Sequence, residues 1–177
     1  VDLEIYSLPA APSAIDEIAC EGGIIPNLTT SGSNPIWYSD AALTTVVGGG
    51  ASFTTGQTIA GVYTYYVTET NTNGCESAPT TVTLTINSFN TIPVIVDETA
   101  CSGSTIPDLT ASGVGTNFNW YSDASLSNLV STNNPFATGQ TGVGIYTYYV
   151  TETQNGCESP AAIITLEIYT TPLTGPI

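Results

Sequence analysis

The sequence contains no Lys, Arg, His or Met, although it has 15 acidic residues. Without His or Lys there is no Ser–His nucleophile pair, no Schiff-base lysine and no ordinary acid–base group for neutral pH. A formal net charge of −15 with no cationic side chain repels nucleic acids and anionic membrane surfaces. No apolar run is long enough to cross a bilayer. We therefore predict that the chain is not an enzyme, binds no nucleic acid and does not insert into membranes.

Metal chemistry is restricted for the same reason. Zinc sites that use His are excluded, and the four Cys do not form a CxxC pair. Calcium binds carboxylate and carbonyl oxygens, so Asp40 and Asp123, which follow Trp-Tyr-Ser in each half of the chain, are candidate cation ligands. No Asp-x-Asp or EF-loop spacing accompanies them, and an Asp at a strand end ordinarily forms an Asx turn. We expect no cofactor, with Ca²⁺ as the one candidate.

The chain instead contains one module written twice, about 82 residues apart. A period of this length is a complete small domain rather than a solenoid unit. Two copies favour a structural role, because a catalyst needs its site only once. The recurring segments are Cys20 and Cys101, Trp37–Asp40 and Trp120–Asp123, Tyr63–Thr70 and Tyr146–Thr153, and Gly74–Ser77 and Gly156–Ser159.

The repeat also sets the expected domain boundaries. Leu3-Glu4-Ile5-Tyr6 resembles Leu166-Glu167-Ile168-Tyr169, so the sequence is interpreted as a window from a longer array. The linker is short and contains Pro, which predicts a semi-rigid pair. The predicted divisions are 1–13 for the last strand and linker of a preceding repeat, 14–88 for repeat 1, 89–95 for the linker, 96–169 for repeat 2, and 170–177 for the linker to a following repeat.

Strand periodicity dominates both copies. Thr alternates with Val, Leu and Ile over Val82–Ile86 and again over Ile164–Ile168, the pattern of strands with one buried face. Asn-Gly pairs at positions 73–74 and 155–156 predict hairpin turns. Short strands punctuated by Gly, Pro and Asn predict an all-β protein made of two antiparallel β-sandwiches. The aromatic residues predicted to fill the cores are Trp37, Tyr65, Trp120 and Tyr148.

The even number of Cys, one pair in each copy, favours an oxidising compartment. We predict one disulfide in each domain, Cys20–Cys75 and Cys101–Cys157. Pairing across the copies would tie the modules together and break the logic of the repeat, and buried free thiols are the remaining alternative.

The order of these motifs resembles the immunoglobulin-like tandem repeats of giant cell-surface adhesin proteins of gliding Bacteroidota. The resemblance covers both copies and implies immunoglobulin-like domains, an extracellular location at the cell surface or in a secreted filament, and a role in cell adhesion with neighbouring repeats as partners. In antibody-type domains the second Cys lies two residues after a Tyr in mid-strand, where this chain has Val67 and Val150. The disulfide is therefore expected to clamp one end of each sandwich.

Tyr66 and Tyr149 fall on the strand face opposite the core and are candidate aromatic platforms for surface glycans or a neighbouring chain. The adjacent carboxylates Asp16-Glu17 and Asp97-Glu98 point to opposite faces of an extended strand, so neither pair can flank one sugar as glycosidase acids do.

The predicted function is a non-catalytic structural repeat that builds the stalk or fibre of an extracellular adhesin or filament. The alternatives are a carbohydrate- or surface-binding module, an accessory domain of an enzyme, and a self-assembling fibre subunit. In the last case Val1–Ser7 of one chain would complete a sheet of the next by strand addition.

Overall fold

The structure is a computed structural model that describes residues 2–89 and 91–171. The chain divides into two compact units, Val1–Ser88 and Phe89–Ile177, which we call repeat 1 and repeat 2. Every regular element assigned within the described ranges is a β-strand. No helix in those ranges has the length and apolar character that crossing a membrane requires.

Strands form where β-branched and aromatic residues alternate with Thr, because such side chains suit a pleated surface with one buried face. Repeat 1 contains β1 (Glu17–Cys20), β2 (Leu28–Thr29), β3 (Pro35–Tyr38), β4 (Val46–Gly49), β5 (Ser52–Phe53), β6 (Gly61–Glu69) and β7 (Thr80–Asn87). Repeat 2 contains β8 (Val94–Ile95), β9 (Glu98–Cys101), β10 (Ala111–Ser112), β11 (Asn117–Tyr121), β12 (Leu129–Ser131), β13 (Gly144–Gln154), β14 (Cys157–Glu158) and β15 (Ala162–Tyr169).

Each repeat is a pair of sheets. In repeat 1 a five-stranded sheet has the order β1-β7-β6-β3-β4, and β2 pairs with β5 in a second sheet. In repeat 2 the larger sheet has the order β12-β11-β13-β15-β9, with β14 on the end of β13, and β10 pairs with β8. The all-β prediction of two tandem sheet pairs is confirmed.

The prediction that the sandwiches are wholly antiparallel is wrong at one edge. β1 runs parallel to β7, with Cys20 opposite Asn87, and β9 runs parallel to β15, with Cys101 opposite Tyr169. Both members of each pair run in the same direction because the chain crosses the sandwich between them, and parallel strands need such a crossover.

The core of each repeat is built on three aromatic rings. Trp37 is fully buried and stacks on Phe53 with ring centroids 5.4 Å apart, and Phe53 meets the edge of Tyr65 at 5.2 Å. Such offset and edge-on pairs are favoured over face-to-face stacking. Trp120, Phe136 and Tyr148 form the same arrangement in repeat 2. The structure thus places the four aromatic residues predicted for the cores inside them.

The Asn-Gly turns lie at the same end of both sheets. In repeat 2, Asn155 and Gly156 both have positive φ, 50° and 80°, as a two-residue hairpin of type I′ requires, and Gln154 pairs with Cys157. In repeat 1 the loop is one residue longer, and the Asn71 side chain accepts hydrogen bonds from the backbone N–H groups of Asn73 and Cys75. The extra residue accounts for part of the drift between the copies.

Residues 2–13 contain no strand of the kind predicted for Leu3–Tyr6. Leu3 and Ile5 are largely exposed. The segment is held to repeat 1 further along, because Asn71 Nδ2 donates to the Ser7 carbonyl and Thr80 Oγ1 donates to the Pro12 carbonyl.

Candidate functional site: recurring side chains and the ends of the repeats

The recurring Tyr, Thr and Glu of each copy form one hydrogen-bonded cluster on the outer face of the larger sheet. Trp37 and Tyr38 are adjacent in β3, so when Trp37 points inward Tyr38 points outward. The Tyr38 hydroxyl donates to Glu76 Oε1 at 2.6 Å, and Thr68 Oγ1 donates to the same oxygen at 2.5 Å. The hydrogen bond to the Glu76 carboxylate raises the pKa of Tyr38 above its ordinary value, with burial adding to the effect.

The same cluster recurs in repeat 2. Glu158 Oε1 accepts from the hydroxyls of Tyr121, at 2.8 Å, and Thr151, and from Asn119 Nδ2 at 3.1 Å. Burial alone would raise the pKa of Glu158, but these three donors together outweigh it and lower the pKa. The Glu of each Gly-Cys-Glu-Ser motif therefore accepts hydrogen bonds from side chains of its own repeat.

A second recurring carboxylate closes the loop before β3 or β11. Glu69 Oε1 accepts from the backbone N–H groups of Ser33 and Asn34, both at 3.0 Å. In repeat 2, Glu152 is fully buried and its Oε2 accepts from the Gly115 N–H at 2.6 Å. In both copies the carboxyl group thus accepts hydrogen bonds from the backbone of the loop that precedes the strand.

This second contact depends on a glycine in each loop. A Cβ at Gly32, where φ is +122°, would lie 2.1 Å from Glu69 Oε2, and a Cβ at Gly113 would lie 2.0 Å from Glu152 Oε2. A side chain at the Gly of this recurring Ser-Gly would therefore collide with the carboxylate in both copies.

Asp40 and Asp123 organise the loop after Trp-Tyr-Ser. Asp40 Oδ1 accepts from the Thr44 N–H at 3.1 Å, and Oδ2 accepts from the Thr45 N–H at 2.7 Å. These hydrogen bonds lower the pKa of Asp40, and the one from Thr44 has the largest effect. Hydrogen bonds from Ser127 and Asn128 lower the pKa of Asp123 in the same way. Both oxygens thus serve the loop, as in an Asx turn.

The acidic pairs before the first Cys also have a role in the fold. Asp16 Oδ1 accepts from the Thr83 N–H at 2.7 Å, and Asp97 Oδ1 accepts from the Thr165 N–H at 2.8 Å. Each aspartate therefore fastens the start of the parallel edge strand to the last strand of its repeat.

The structure does not gather the predicted ligand-binding residues into one site. Tyr66 and Tyr149 are half-buried. Two shallow clefts, of about 200 Å³ beside Thr54–Thr58 and about 340 Å³ beside Ala137–Thr141, occupy equivalent places in the two repeats. Within residues 2–89 and 91–171, no three acidic or Cys side chains are grouped closely enough to hold a metal ion.

The cysteines of each repeat lie at opposite ends of its larger sheet. We call the end where β7 or β15 begins the entrance end and the end where it finishes the exit end. Cys20 and Cys101 lie at the exit ends, opposite Asn87 and Tyr169. Cys75 and Cys157 lie in the hairpins at the entrance ends. The Cys75 carbonyl accepts a hydrogen bond from the Asn71 N–H, and Cys157 pairs with Gln154 across its hairpin.

This placement overturns the predicted disulfides Cys20–Cys75 and Cys101–Cys157. At about 3.3 Å per residue, β6 alone separates the two ends of repeat 1 by about 26 Å, whereas bonded cysteines have Cα atoms about 5 to 7 Å apart. Cys20 and Cys157 are disulfide-bonded, whereas Cys75 and Cys101 are free thiols, so neither predicted pair is formed.

Comparison with known proteins identifies the module. The family model described as "Ig-like domain CHU_C associated" matches residues 9–87 and again residues 91–172. The chain belongs to this family. Both Ig-like domains are matched almost from end to end, and Ig-like domain families are typically non-enzymatic structural domains.

Solved structures with a related arrangement are remote from these Ig-like domains in sequence. The fibronectin(III)-like modules of CbhA from Clostridium thermocellum are 14% identical, cover 96% of this chain and 95% of theirs, and have a TM-score of 0.48. Drosophila N-cadherin EC1-4 is 15% identical over 92% of this chain and 50% of its own, with a TM-score of 0.31. A search of curated proteins found no match.

Sequence reasoning missed the four carboxylates that hold loops and hydroxyls inside the Ig-like domains. Glu69 and Glu152 end the Tyr-Tyr-Val-Thr-Glu run, and Glu76 and Glu158 follow the second Cys. Their recurrence was a usable signal, because a carboxylate kept at the same place in both copies is a candidate for a structural contact within each copy.

Proposed function

We propose that this chain is a non-catalytic structural repeat of an extracellular cell-surface adhesin or filament, of the kind carried by giant surface proteins of gliding Bacteroidota, and that it builds the stalk. The observation that carries the proposal is how the recurring polar residues are used. The hydroxyls and carboxylates at positions 38, 40, 68, 69 and 76, and their counterparts in repeat 2, bond within their own repeat.

A ligand site that was retained in both copies would instead present the same polar groups unoccupied and close together. The recurring acids are engaged by N–H and O–H donors, and the half-buried Tyr66 and Tyr149 offer little ring area. Membership of an Ig-like family and one disulfide in place support an exported module, since disulfides persist in oxidising compartments.

The proposal is tested on producing cells with antibodies raised against this chain. Immunogold labelling should follow thin filaments at the outer surface. Label confined to the cytoplasm, or co-purification of the antigen with a covalently attached catalytic domain, would contradict the stalk role and favour an enzyme accessory domain.

A glycan array separates the stalk from a carbohydrate-binding module. The wild-type chain and the Tyr66→Ala/Tyr149→Ala variant should give equal, background-level signals. Binding by the wild type that disappears in this variant would favour the binding module.

A self-assembling fibre subunit is the second candidate, and the exposure of Leu3 (86%) and Ile5 (83%) favours it, because this alternating apolar segment has the form of a donor strand. Denaturing electrophoresis of native material with reductant decides between the two. Very large polypeptide is expected for a tandem array, whereas a single band near 18.3 kDa would show that strand addition joins separate subunits.

A further inference from the structure

The larger sheet of each repeat has two edges, and an acidic side chain protects one of them. At the edge formed by β1 or β9, Glu17 and Glu98 pair with the buried Leu84 and Leu166. Both glutamates therefore lie on the strand face that points towards the core. An inward-pointing charge is one of the devices that keep an edge strand from pairing with another chain. We call this edge the guarded edge.

The opposite edge, formed by β4 in repeat 1 and β12 in repeat 2, carries no charged residue. The apolar side chains that remain partly exposed on it are Val46 (60%), Val47 (38%), Leu129 (51%) and Val130 (41%). An edge strand also presents N–H and C=O groups that point away from its sheet and can bond to a further strand. We call β4 and β12 the open edges.

Charge indicates what can cover the open edges. All 15 acids lie outside residues 41–68 and 124–151, and these two stretches contain the open edges. Asp40 and Asp123, the acids just before them, turn their oxygens to N–H groups of their own loops. A cationic partner would gain most at the acidic surfaces, and an anionic partner would be repelled by the net charge. The neutral edge is instead where two copies of so acidic a chain approach with least repulsion.

We propose that two copies of this chain pair side by side through their open edges, strand against strand in antiparallel order. Because the same edge is used on both sides, the contact is two-fold and closes after two copies. Main-chain hydrogen bonds join the two strands, and the exposed apolar side chains of each strand are covered by the other. The inference rests on the proposed stalk function for its role, which is to join neighbouring stalks laterally.

The contact is weak for a single pair of repeats. β4 has four residues and β12 has three, so few main-chain hydrogen bonds can form. The register between each open edge and its neighbour also shifts, between Trp37 and Tyr38 in repeat 1 and between Trp120 and Tyr121 in repeat 2, and such irregularities hinder pairing at an edge. Self-association should therefore appear at high protein concentration and strengthen as salt screens the acids.

The test compares a variant of the open edges with a matched control. Val47→Glu/Val130→Glu places one acid on each open edge, and Ile18→Glu/Thr99→Glu places the same charges on the guarded edges. The free thiols of every sample are blocked with iodoacetamide, so that disulfide exchange cannot join copies. Sedimentation equilibrium at low and at physiological NaCl gives the dimer dissociation constant, and thermal unfolding shows that each variant is folded.

The wild type should dimerise more tightly at physiological than at low NaCl. Val47→Glu/Val130→Glu should weaken dimerisation at least about tenfold, because it sets like charges opposite one another across the contact. Ile18→Glu/Thr99→Glu should weaken it far less. Equal weakening by the two variants would overturn the inference, as would a wild type that stays monomeric at every concentration and salt.

Amide chemical shifts of the isotope-labelled wild type locate the contact without any variant. Between dilute and concentrated samples in physiological NaCl, the largest changes should fall in β4, β12 and the strands that they pair with. Changes centred on the guarded edges, or on Val62 and Ile145, exposed apolar residues of β6 and β13, would overturn the inference. Neither failure alters immunogold labelling of filaments, so failure of this inference is distinguishable from failure of the stalk function.

Discussion

At the scale of single residues, a chain without cations uses its acids as acceptors for neutral donors. Glu69 receives two backbone N–H groups, and Glu76 receives two hydroxyls. Leaving such N–H groups without a partner would cost about 1 to 3 kcal/mol each if they were buried. These contacts do the work that Lys–Glu and Arg–Asp pairs do elsewhere, without needing the opposite charge.

The Glu69 contact predicts a specific sensitivity at Gly32. In Gly32→Ala the new Cβ would lie 2.1 Å from Glu69 Oε2 in a backbone conformation with φ of +122°, so the carboxylate must move and release the loop. We expect the free energy of unfolding of repeat 1 to fall by about 2 kcal/mol and the melting temperature by about 10 °C, measured by differential scanning calorimetry.

Gly49→Ala is the matched control in the same repeat. Its Cβ would meet the Pro35 carbonyl oxygen at an ordinary 3.6 Å, so its melting temperature should stay close to that of the wild type. Equal losses in the two variants would show that the approach of Gly32 to Glu69 is not what stabilises the loop.

Residue roles were predictable where they follow from periodicity. Tyr65 could be assigned to the core because it belongs to an alternating strand pattern, and Trp37 because a Trp in a sandwich is most simply packed between the sheets. Glu69 could not be assigned, because the loop it holds lies 35 and 36 residues earlier in the chain. No local pattern in the sequence states which distant N–H groups a carboxylate will meet.

At the scale of elements, the loops after β3 and β11 should respond to acid. The donors around Asp40 and Asp123 lower the pKa of both carboxylates. A lowered folded-state pKa gives stability that is fully present above the unfolded value of about 3.9. That stability is lost as the pH falls through the folded value, which lies below it.

Comparison of variants isolates this effect. The wild type should be more stable than Asp40→Asn/Asp123→Asn at pH 5 and should lose this advantage by pH 2, as measured by urea midpoints. The reason is that each Asn accepts a hydrogen bond from one of the two loop N–H groups and repels the other at every pH. Glu21→Gln/Asp108→Asn removes the same charge elsewhere and should run parallel to the wild type. A gap between the wild type and Asp40→Asn/Asp123→Asn that widened below pH 4 would contradict the assigned sign.

Element pairing shows a second limit of the sequence. The existence of β3, β6 and β7 followed from alternation and from the Asn-Gly turn, and each was found. The four-residue β1 and its parallel register with β7 could not be predicted in this way. So short a segment can pair in either direction, and its direction depends on where the crossover brings the chain back to the sheet.

At the scale of the whole molecule, the disulfide prediction failed because the spacing of Cys along the chain does not state how far apart the ends of a sheet lie. The two Cys of each repeat lie at opposite ends of its larger sheet, beyond the reach of one disulfide. The repeat pattern alone could not reveal that distance.

The net charge acts on the whole molecule and should make its stability rise with ionic strength. Fifteen acids repel one another, while no Lys, Arg or His is present to form a side-chain ion pair that salt would weaken. The Debye length falls from about 30 Å at 0.01 M to about 8 Å at 0.15 M ionic strength, which screens acids on different elements and leaves contacts near 3 Å, such as Asp16 with Thr83, almost unchanged. The melting temperature should therefore rise from low to physiological NaCl, and a fall would show that repulsion between acids is not what salt chiefly changes.

Calcium at matched ionic strength should add nothing further to the melting temperature, because the oxygens of Asp40 and Asp123 are already engaged by loop N–H groups. An extra rise with Ca²⁺ that is lost in Asp40→Asn/Asp123→Asn would instead identify these loops as cation sites.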